Sequence, residues 1–406
     1  MNTGENASTH IGNRFHRYLQ YAAAILSNYK IAGPFHLYLK KYFSANKKHG
    51  SKDRKKIASL CYHYLRLGFG VSSQLDVEDS LLLATFLLEN KSSALLDSLK
   101  PEWNEKIHLS LSEKLELVKN VFNANGIFPF EDELSAEINY AQFNISFLIQ
   151  PKLYLRIRPG YFEKVIDKLN AANISFEKIN GDCLAFSNNE KVSDVISIDK
   201  EAVVQDYNSQ RVRDFFKSQI TGRQSKTAIW DCCAASGGKS ILAYDVFKNI
   251  ELTVSDTRKN ILENLKIRFS KSGIKNYHSF VADLSGSFAI NIFEKGAAFD
   301  FIIADVPCTG SGTWARTPEQ LKYFSKKSIG KYSILQQMIV AGAVQYLKYD
   351  GYFLYITCSV FKKENEENVE FIQKKLNIEL IESRYLKGYE MQADTLFAAL
   401  FKKNIV

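Results

Sequence analysis

The hydrophobic and polar positions in the second half of the chain alternate between strand-like and helical runs. Short apolar runs occur at 227–230, 252–254, 278–281, 299–304 and 352–356. Apolar positions with helical spacing fill the intervals at 241–247, 261–269 and 334–347. This alternation predicts a parallel, doubly wound α/β sheet, in which ligands bind beyond the carboxyl ends of the strands.

The first third of the chain carries helical patterns. Ser51 is placed to cap a helix whose apolar positions follow helical spacing over 57–65 and which ends before Gly68. Little before Pro129 alternates in the way that a strand does. The pattern therefore predicts an all-helical domain over residues 1–135.

A different pattern occupies residues 150–205. Apolar and polar positions alternate there as in a strand, with Leu153, Leu155 and Ile157 on one face and Tyr154, Arg156 and Arg158 on the other. The pair Asn180-Gly181 signals a hairpin turn. We predict a small α+β domain here, followed by the α/β domain over 206–406. The strand arginines would either contact RNA or face solvent.

The composition is typical of a folded protein. Of the 406 residues 46% are hydrophobic and 24% are charged, which excludes wholesale disorder. The six cysteines are too few for a disulfide framework and have no zinc-site spacing, so we expect a reducing cytoplasmic location and no metal. No signal-peptide core and no uninterrupted run of about 18 apolar residues occurs. We therefore expect neither export nor membrane insertion.

The charge favours a polyanionic partner, since the formal net charge is +9. Basic residues concentrate between 40 and 66, where Asp53 is the one acidic residue. They are Lys40, Lys41, Lys47, Lys48, Lys52, Arg54, Lys55, Lys56 and Arg66. This patch would either follow a phosphate backbone or form a solvated helix face.

The residues that follow the first three predicted strands suit a nucleoside. The first strand leads into DCCAASGGKS at 231–240, where small residues and a following helix let an anionic group approach the backbone. A phosphate-binding P-loop would need glycine at position 233, where cysteine stands. Asp256 and Asp283 end the next two strands, where a carboxylate can accept hydrogen bonds from a ribose or an adenine amino group.

Two cysteines follow the fourth and fifth predicted strands. Cys308 lies in DVPCTGSG, three residues after Asp305, and Cys358 lies in TCS. If their strands are neighbours, about 5 Å apart, both thiols rise at one edge of the sheet beside the nucleoside site. Thiols in such a setting are candidates for nucleophilic chemistry.

These motifs resemble those of a known enzyme family. DCCAASGGKS, ADVPCTGSGTWARTPE and YITCSVFKKENEENVE are similar to segments of the Sun/Fmu-type RNA (cytosine-5) methyltransferases. VVQDYNSQ at 203–210 resembles the entry into their catalytic domain, and SKDRKKIASLCYHYLRLG resembles a NusB-like helical domain. The resemblance implies a Rossmann-like class I domain that uses S-adenosylmethionine, preceded by an RNA-binding NusB-like domain and the small α+β domain.

The resemblance also implies roles for individual residues. The methionine part of the cofactor would contact Cys233, Ala234, Ala235, Ser236, Gly237, Gly238 and Lys239. Asp256 would bind the ribose, Asp283 the adenine, and Asp305 would face the methyl-transfer region. Cys358 would be the nucleophile and Cys308 would assist release of the methylated product. Ser236 stands where the family usually has proline, so we expect a less rigid loop there.

The function implied is methylation of cytosine carbon 5 in RNA by a monomer, with ribosomal RNA preferred over transfer RNA. Two rivals are a DNA cytosine-5 methyltransferase and a non-catalytic RNA-assembly factor of the same fold. Cys308 or water would remove the proton from carbon 5. The lysines near the loop at 314–316 would extend an RNA surface or be solvated; they are Lys322, Lys326, Lys327 and Lys331. Arg316 would brace its loop or bind phosphate.

Overall fold

The computed structural model of the chain describes residues 4–30, 33–216, 226–247, 249–286 and 298–404, with side chains from residue 14 onward. The chain divides into two compact units. The first comprises Met1–Asp132, Asn139–Gln150 and Trp314–Phe324. The second comprises Glu133–Ile138, Pro151–Thr313 and Ser325–Val406. Within the described ranges, no helix is both long and apolar enough to span a membrane.

The first unit is built from helices, as the sequence predicts for this region. They are α1 Gly4–Asn28, α2 Phe35–Ala45, α3 Ser51–Arg66, α4 Val77–Leu88, α5 Ala94–Leu99, α6 Pro101–Asn104, α7 Leu111–Leu117, α8 Tyr140–Ser146 and, from a later part of the chain, α13 Pro318–Tyr323. Helix α3 confirms the predicted helix, but its cap is Gly50 rather than Ser51. The N–H of Gly50 donates to Asp53 over 3.2 Å, which closes the first turn.

Two basic residues of this unit are not free surface charges. Arg66 is buried, and its guanidinium donates to the carbonyl of Phe147 over 3.0 Å and to the side chain of Gln150. It therefore does not belong to the predicted basic patch. The ammonium of Lys322 donates to the carbonyl of Gly68 over 2.8 Å, and burial lowers its pKa. Both predicted roles of Lys322, in an RNA surface and as a solvated lysine, are wrong, because its ammonium binds a backbone carbonyl within the first unit.

The second unit begins with a small antiparallel sheet. Its strands are β1 Leu153–Ile157, β2 Glu177–Lys178, β3 Cys183–Phe186 and β4 Ala202–Val204, in the order β2-β3-β1-β4. Strands β2 and β3 flank Asn180-Gly181 as the predicted hairpin. Helix α9, Phe162–Ala171, packs Val165 and Leu169 against Leu155 and Ile157 of β1. The apolar side of β1 therefore faces this core, as the alternation predicts.

A seven-stranded sheet forms the rest of the second unit. Its strands are β5 Thr227–Asp231, β6 Ile250–Asp256, β7 Tyr277–Val281, β8 Phe299–Asp305, β9 Leu347–Thr357, β10 Ile378–Leu386 and β11 Leu396–Lys403. The order is β10-β11-β9-β8-β5-β6-β7. All five predicted strands are present. The prediction of a wholly parallel sheet is wrong, because β11 runs antiparallel to both β9 and β10.

The helices of this part are α10 Tyr207–Arg211, α11 Gly238–Val246, α12 Lys259–Ser272, α14 Lys327–Val344 and α15 Glu366–Leu376. Alternate strand residues serve opposite faces of the sheet. On one face Ile229 and Ile303 join a core with Leu242 of α11 and Leu265 of α12. On the other face Tyr355 reaches Gln336 of α14. Helices on both faces of a mainly parallel sheet make this a doubly wound α/β architecture.

The strand arginines of β1 join the small sheet to α11. Arg156 and Arg158 are only 1% and 8% exposed. Asp245 of α11 accepts from Arg156 Nη1 over 2.7 Å and from Arg158 Nη2 over 2.7 Å. The two predicted roles, RNA contact and solvent exposure, are both wrong, because both side chains are buried and form ion pairs with a carboxylate far along the chain.

Candidate active site

The carboxyl ends of the parallel strands meet at one edge of the large sheet. Asp231, Asp256, Asp305 and Thr357 are the last residues of β5, β6, β8 and β9. Parallel strands present these ends side by side, so the predicted site residues come together. A cavity of about 630 Å³ opens here, within the usual size of small-molecule sites.

The cavity is lined by many of the predicted residues. These are Cys233, Ala235, Asp256, Asp283, Asp305, Cys308 and Cys358. Ala234, Ser236, Gly237, Gly238 and Lys239 lie outside its lining. The lining residues that the sequence did not single out are Cys232, Thr257, Arg258, Ala282, Leu284, Ser285, Val306, Pro307, Leu335 and Ile339. Most of these flank a predicted strand end, so adjacency could have found them, whereas Leu335 and Ile339 come from α14 and carry no local signal.

The loop that follows β5 is tied to the end of β6. Ala235 has a φ of +46°, which is rare for a residue with a side chain. Its N–H donates to Asp256 Oδ2 over 3.0 Å. Arg258 also donates to Asp256, from Nε to Oδ1 over 2.9 Å. Burial alone would raise the pKa of Asp256, but these donors, Arg258 above all, hold that pKa below its usual value. Asp256 is thus a carboxylate fixed at the cavity wall.

Asp283 lies on the same wall in a more exposed position, two residues beyond β7. Its Oδ1 accepts from the hydroxyl of Ser285 over 2.6 Å and from the N–H of Ser285 over 2.9 Å. These hydrogen bonds lower the pKa of Asp283. The side chain is therefore an oriented acceptor at the cavity rim.

The two cysteines lie in contact, as the sequence predicts for neighbouring strands. Strands β8 and β9 are a parallel pair. Cys308 Sγ lies 3.1 Å from Cys358 Sγ and 3.3 Å from the backbone N of Cys358. Both thiols are partly exposed at the cavity. The hydrogen bond with Cys358 and burial raise the pKa of Cys308 well above its ordinary value. Cys308 is therefore held in its thiol form.

A buried carboxylate, Glu364, joins the residues that follow the two cysteines. Its Oε1 accepts from the N–H of Thr309 over 2.9 Å, and its Oε2 accepts from the hydroxyls of Thr309 and Ser359, each over 2.5 Å. Gln336 of α14 donates to Oε1 over 2.9 Å. Burial raises the pKa of Glu364, although these donors oppose the shift. The sequence did not identify Glu364 as part of the site.

Gly312 completes the link between the two cysteine loops. Its N–H donates to the carbonyl of Cys358 over 2.8 Å, and its carbonyl accepts from the N–H of Thr395 over 2.9 Å. A Cβ at position 312 would lie 2.0 Å from the carbonyl oxygen of Thr395. Glycine is therefore required for the close approach that seats this loop on the sheet.

Lys239 and Asp305 form an ion pair across the sheet edge. Lys239 Nζ donates to Asp305 Oδ2 over 2.9 Å. Burial alone would lower the pKa of Lys239, but the carboxylates of Asp305 and Asp231 raise it, with a smaller contribution from Cys358. Lys239 thus stays an ammonium near the cysteines. The contact with the methionine part of the cofactor that the resemblance implies for Lys239 stays a prediction.

Asp231 is fully buried and interacts electrostatically with both members of this pair. Its Oδ2 accepts from the hydroxyl of Ser240 over 2.5 Å, while Oδ1 has no hydrogen-bond partner among the described residues. Burial raises the pKa of Asp231 to about 7, with a further contribution from Asp305. Asp231 is therefore a buried neighbour of the site and does not line the cavity.

The chain is similar to known proteins in sequence and in fold. Residues 219–400 match the family described as 16S rRNA methyltransferase RsmB/F. The probable ribosomal RNA small subunit methyltransferase B of Coxiella burnetii is 26% identical over 181 residues, covering 44% of this chain and 41% of that protein. The human tRNA (cytosine(72)-C(5))-methyltransferase NSUN6 is 29% identical over 167 residues, covering 39% and 35%.

A solved structure gives the same picture of the fold. A methyltransferase homolog protein from Pyrococcus horikoshii has a TM-score of 0.56 and 18% identity, covering 73% of this chain and 100% of that chain. The predicted resemblance to the Sun/Fmu-type family is confirmed, and the large sheet has the Rossmann-like fold of methyltransferases. The chain matches about two fifths of the length of the Coxiella relative.

Proposed function

We propose that this chain transfers a methyl group from S-adenosylmethionine to carbon 5 of cytosine in RNA, through a covalent bond between Cys358 and the base. The observation that carries the proposal is the contact of the two thiols, 3.1 Å apart, on the wall of the cavity that Asp256 and Asp283 also line. The two relatives described above are named as RNA methyltransferases, and NSUN6 is named for cytosine carbon 5.

The residues of the cavity fit the cofactor. S-adenosylmethionine supplies an electrophilic methyl group on sulfur, and about 630 Å³ is enough for a nucleoside with an amino-acid arm. Asp256 is fixed to accept from ribose hydroxyls and Asp283 to accept from an adenine amino group. No described side chain caps the first turn of α11, so its N–H groups suit the carboxylate of the methionine part, beside the loop at 233–239.

Cys358 supplies the nucleophile in this proposal. Carbon 5 of cytosine is a weak nucleophile, and addition of a thiolate to carbon 6 moves electron density onto carbon 5. The ammonium of Lys239 contributes positive charge near Cys358. Cys308, whose raised pKa keeps it a thiol, does not compete for the same carbon. After carbon 5 has gained the methyl group it loses its proton to a base, and the Cys358 thiolate leaves as the ring double bond re-forms.

Asp305 orients the base in this scheme. Its Oδ2 accepts from Lys239, and it lines the cavity beside Cys308. A carboxylate there can accept from the exocyclic amine of cytosine, and the paired ammonium can stabilise negative charge that develops on the ring. Cys308 then assists release of the methylated base by donating its thiol proton to the departing Cys358 sulfur 3.1 Å away, while water receives the carbon 5 proton.

A surface beside the cavity suits single-stranded RNA. Leu335 and Ile339 of α14 line the cavity, and the neighbouring Ile334 and Met338 are 60% and 47% exposed. Exposed lysines lie on the first turns of the same helix and after the TCS motif; they are Lys327, Lys331, Lys362 and Lys363. Apolar surface for a flipped-out base beside cations for the phosphates supports an RNA substrate with an unpaired target.

The first unit serves, in this proposal, as a NusB-like RNA-binding domain over 1–135, followed by the small domain over 150–205 and the catalytic domain over 206–406. Its exposed lysines support this role; they are Lys40, Lys41, Lys47, Lys48, Lys52 and Lys55. We propose ribosomal RNA as substrate in preference to transfer RNA, and a monomer as the active form. The unlinked state of all six cysteines supports a cytoplasmic location.

The experiment is methyl transfer to RNA from host cells that lack this gene, with bisulfite sequencing to find the modified cytosine. The wild-type protein should modify one ribosomal RNA position, and Cys358→Ala should modify none. Modification of transfer RNA would keep the reaction and change the substrate. Modification of DNA alone would identify a DNA methyltransferase. If S-adenosylmethionine neither binds nor donates a methyl group, the fold serves a non-catalytic role and the proposal is wrong.

A further inference from the structure

Ser236, which replaces the proline of the resembled family, is held in place by an arginine. Arg268 of α12 donates from Nη1 to the carbonyl oxygen of Ser236 over 2.9 Å and to its hydroxyl over 3.1 Å. A proline restricts its backbone by its ring, whereas a serine must be restricted by contacts. The guanidinium provides two such contacts to one residue. The loosening predicted from the sequence thus meets a compensating interaction that only the folded chain contains.

Arg268 is in turn fixed by a residue of the small domain region. Asp199 Oδ1 accepts from Arg268 Nη2 over 2.8 Å and from Nε over 3.0 Å. Asp199 is itself buried, with a φ of +68°. Its carbonyl accepts from Arg158 Nη1 over 3.2 Å and from the hydroxyl of Ser272 over 3.0 Å. The guanidinium of Arg268 is therefore held in one position by a buried carboxylate.

The residue after Ser236 rests on the same helix. Gly237 has a φ of +84°, and a Cβ there would lie 2.7 Å from the ring of Phe269 and 3.1 Å from Leu265. Ala235, the residue before Ser236, donates its N–H to Asp256. Ala235 and Ser236 are thus each held by hydrogen bonds, and α12 leaves no room for a side chain at Gly237.

We propose that Arg268 and Asp199 are positioning residues that preorganise the loop at 233–239 for S-adenosylmethionine, replacing the rigidity that proline gives at position 236. The proposal rests on the proposed function, since it takes this loop as the cofactor-binding segment. Neither residue lines the cavity, so their effect passes through Ser236. Freeing the backbone of a loop residue before binding weakens binding, because its conformational entropy is then lost on association.

The first test is Arg268→Ala, with binding of S-adenosylhomocysteine measured by calorimetry and amide hydrogen exchange of the loop measured without ligand. We expect roughly tenfold weaker binding, which corresponds to about 1.4 kcal/mol, and faster exchange at Ala235 and Gly237. The KM for S-adenosylmethionine should rise while kcat and the KM for RNA stay close to wild type. Lys266→Ala removes an exposed cation from the same helix and should change none of these values.

The second test is rescue by Ser236→Pro. Among the described residues the N–H of Ser236 donates no hydrogen bond, so proline removes none. Added to Arg268→Ala, the substitution should restore most of the binding and slow the loop exchange again. Asp199→Asn, which suits the left-handed backbone, should weaken binding in the same direction and provides the test if Arg268→Ala does not fold.

The outcomes separate this inference from the function on which it rests. If the wild-type protein does not bind S-adenosylhomocysteine, the proposed function fails and this inference fails with it. If the wild type binds but Arg268→Ala and Asp199→Asn bind equally well, the loop needs no brace and the inference alone is overturned. If Arg268→Ala binds weakly and proline at 236 does not restore binding, Arg268 acts by another route, and the inference is also overturned.

Discussion

Cys308 Sγ lies 3.1 Å from Cys358 Sγ, although 50 residues separate the two cysteines along the chain. Each follows the end of one of two adjacent parallel strands, β8 and β9, and the N–H of Cys358 points at Cys308 Sγ over 3.3 Å. At such a distance, negative charge on one sulfur opposes negative charge on the other. The contact therefore opposes the state in which both sulfurs are charged, so Cys308 keeps its proton when Cys358 acts as the nucleophile.

Replacing either cysteine separately should distinguish their roles. Cys308→Ala should accumulate a covalent adduct between protein and RNA, because Cys358 still adds to the base while release is slowed. Cys358→Ala and the double variant should form no adduct. Denaturing electrophoresis of the protein with labelled substrate RNA measures this directly. Adduct formation by Cys358→Ala but not by Cys308→Ala would exchange the two assignments.

Removal of the carboxylate that joins the two cysteine loops should slow methyl transfer. Glu364→Ala deletes four accepted hydrogen bonds, and we expect a loss of roughly 100-fold in the single-turnover rate, since small displacements of reacting groups have effects of this size. Glu364→Gln should lose less, because the hydroxyls of Thr309 and Ser359 can rotate to accept from the amide.

The exposed Glu367 on α15 offers a matched control for this carboxylate. Glu367→Ala should methylate at the wild-type rate, with the rates measured well below the unfolding temperature of each variant. A wild-type rate for Glu364→Ala would show that the cysteine loops do not need this link.

Asp231 should make stability depend on pH between about 4 and 7. Burial raises its folded-state pKa from 3.8 to about 7, so in this window the unfolded chain releases a proton that the folded chain keeps. The stabilisation from neutral Asp231 is complete below pH about 3.8 and is lost as the pH rises through about 7. Asp231→Asn should remove this dependence, a difference of up to about 4 kcal/mol.

Urea unfolding of the wild type and Asp231→Asn at pH 5 and pH 7.5 measures the effect. From pH 5 to pH 7.5 the free energy of unfolding of the wild type should fall relative to that of the variant. Parallel changes in the two proteins would mean that Asp231 titrates normally in the fold.

Asp245 should be important for stability rather than for catalysis. Its side chain is 5% exposed and forms ion pairs with both Arg156 and Arg158. Asp245→Asn leaves two buried guanidinium groups without their counter-charge, and we expect a loss of about 3–5 kcal/mol in the free energy of unfolding. Asp214→Asn, which removes an exposed partner of Arg384, should cost about 1 kcal/mol or less. Equal urea midpoints for the two variants would contradict this account.

The local sequence determined five of the seven segments that form the sheet, and the residues that follow those five strands. Strand periodicity and the residues after each apolar run located Asp256, Asp305, Cys308 and Cys358 at one edge, because parallel strands end on the same side. Strands β10 and β11 were missed. The direction of β11 depends on its pairing with β9 and β10, which no local pattern encodes.

Only the tertiary structure decided which charged and polar groups meet. The pairing of Lys239 with Asp305, the burial of Arg158 against Asp245 and the bracing of Ser236 by Arg268 join residues far apart in sequence. An arginine on a strand or a lysine after a glycine turn has the same local pattern whether water or a carboxylate faces it. The difference arises when packing excludes water, because a buried charge must then find its partner inside the protein.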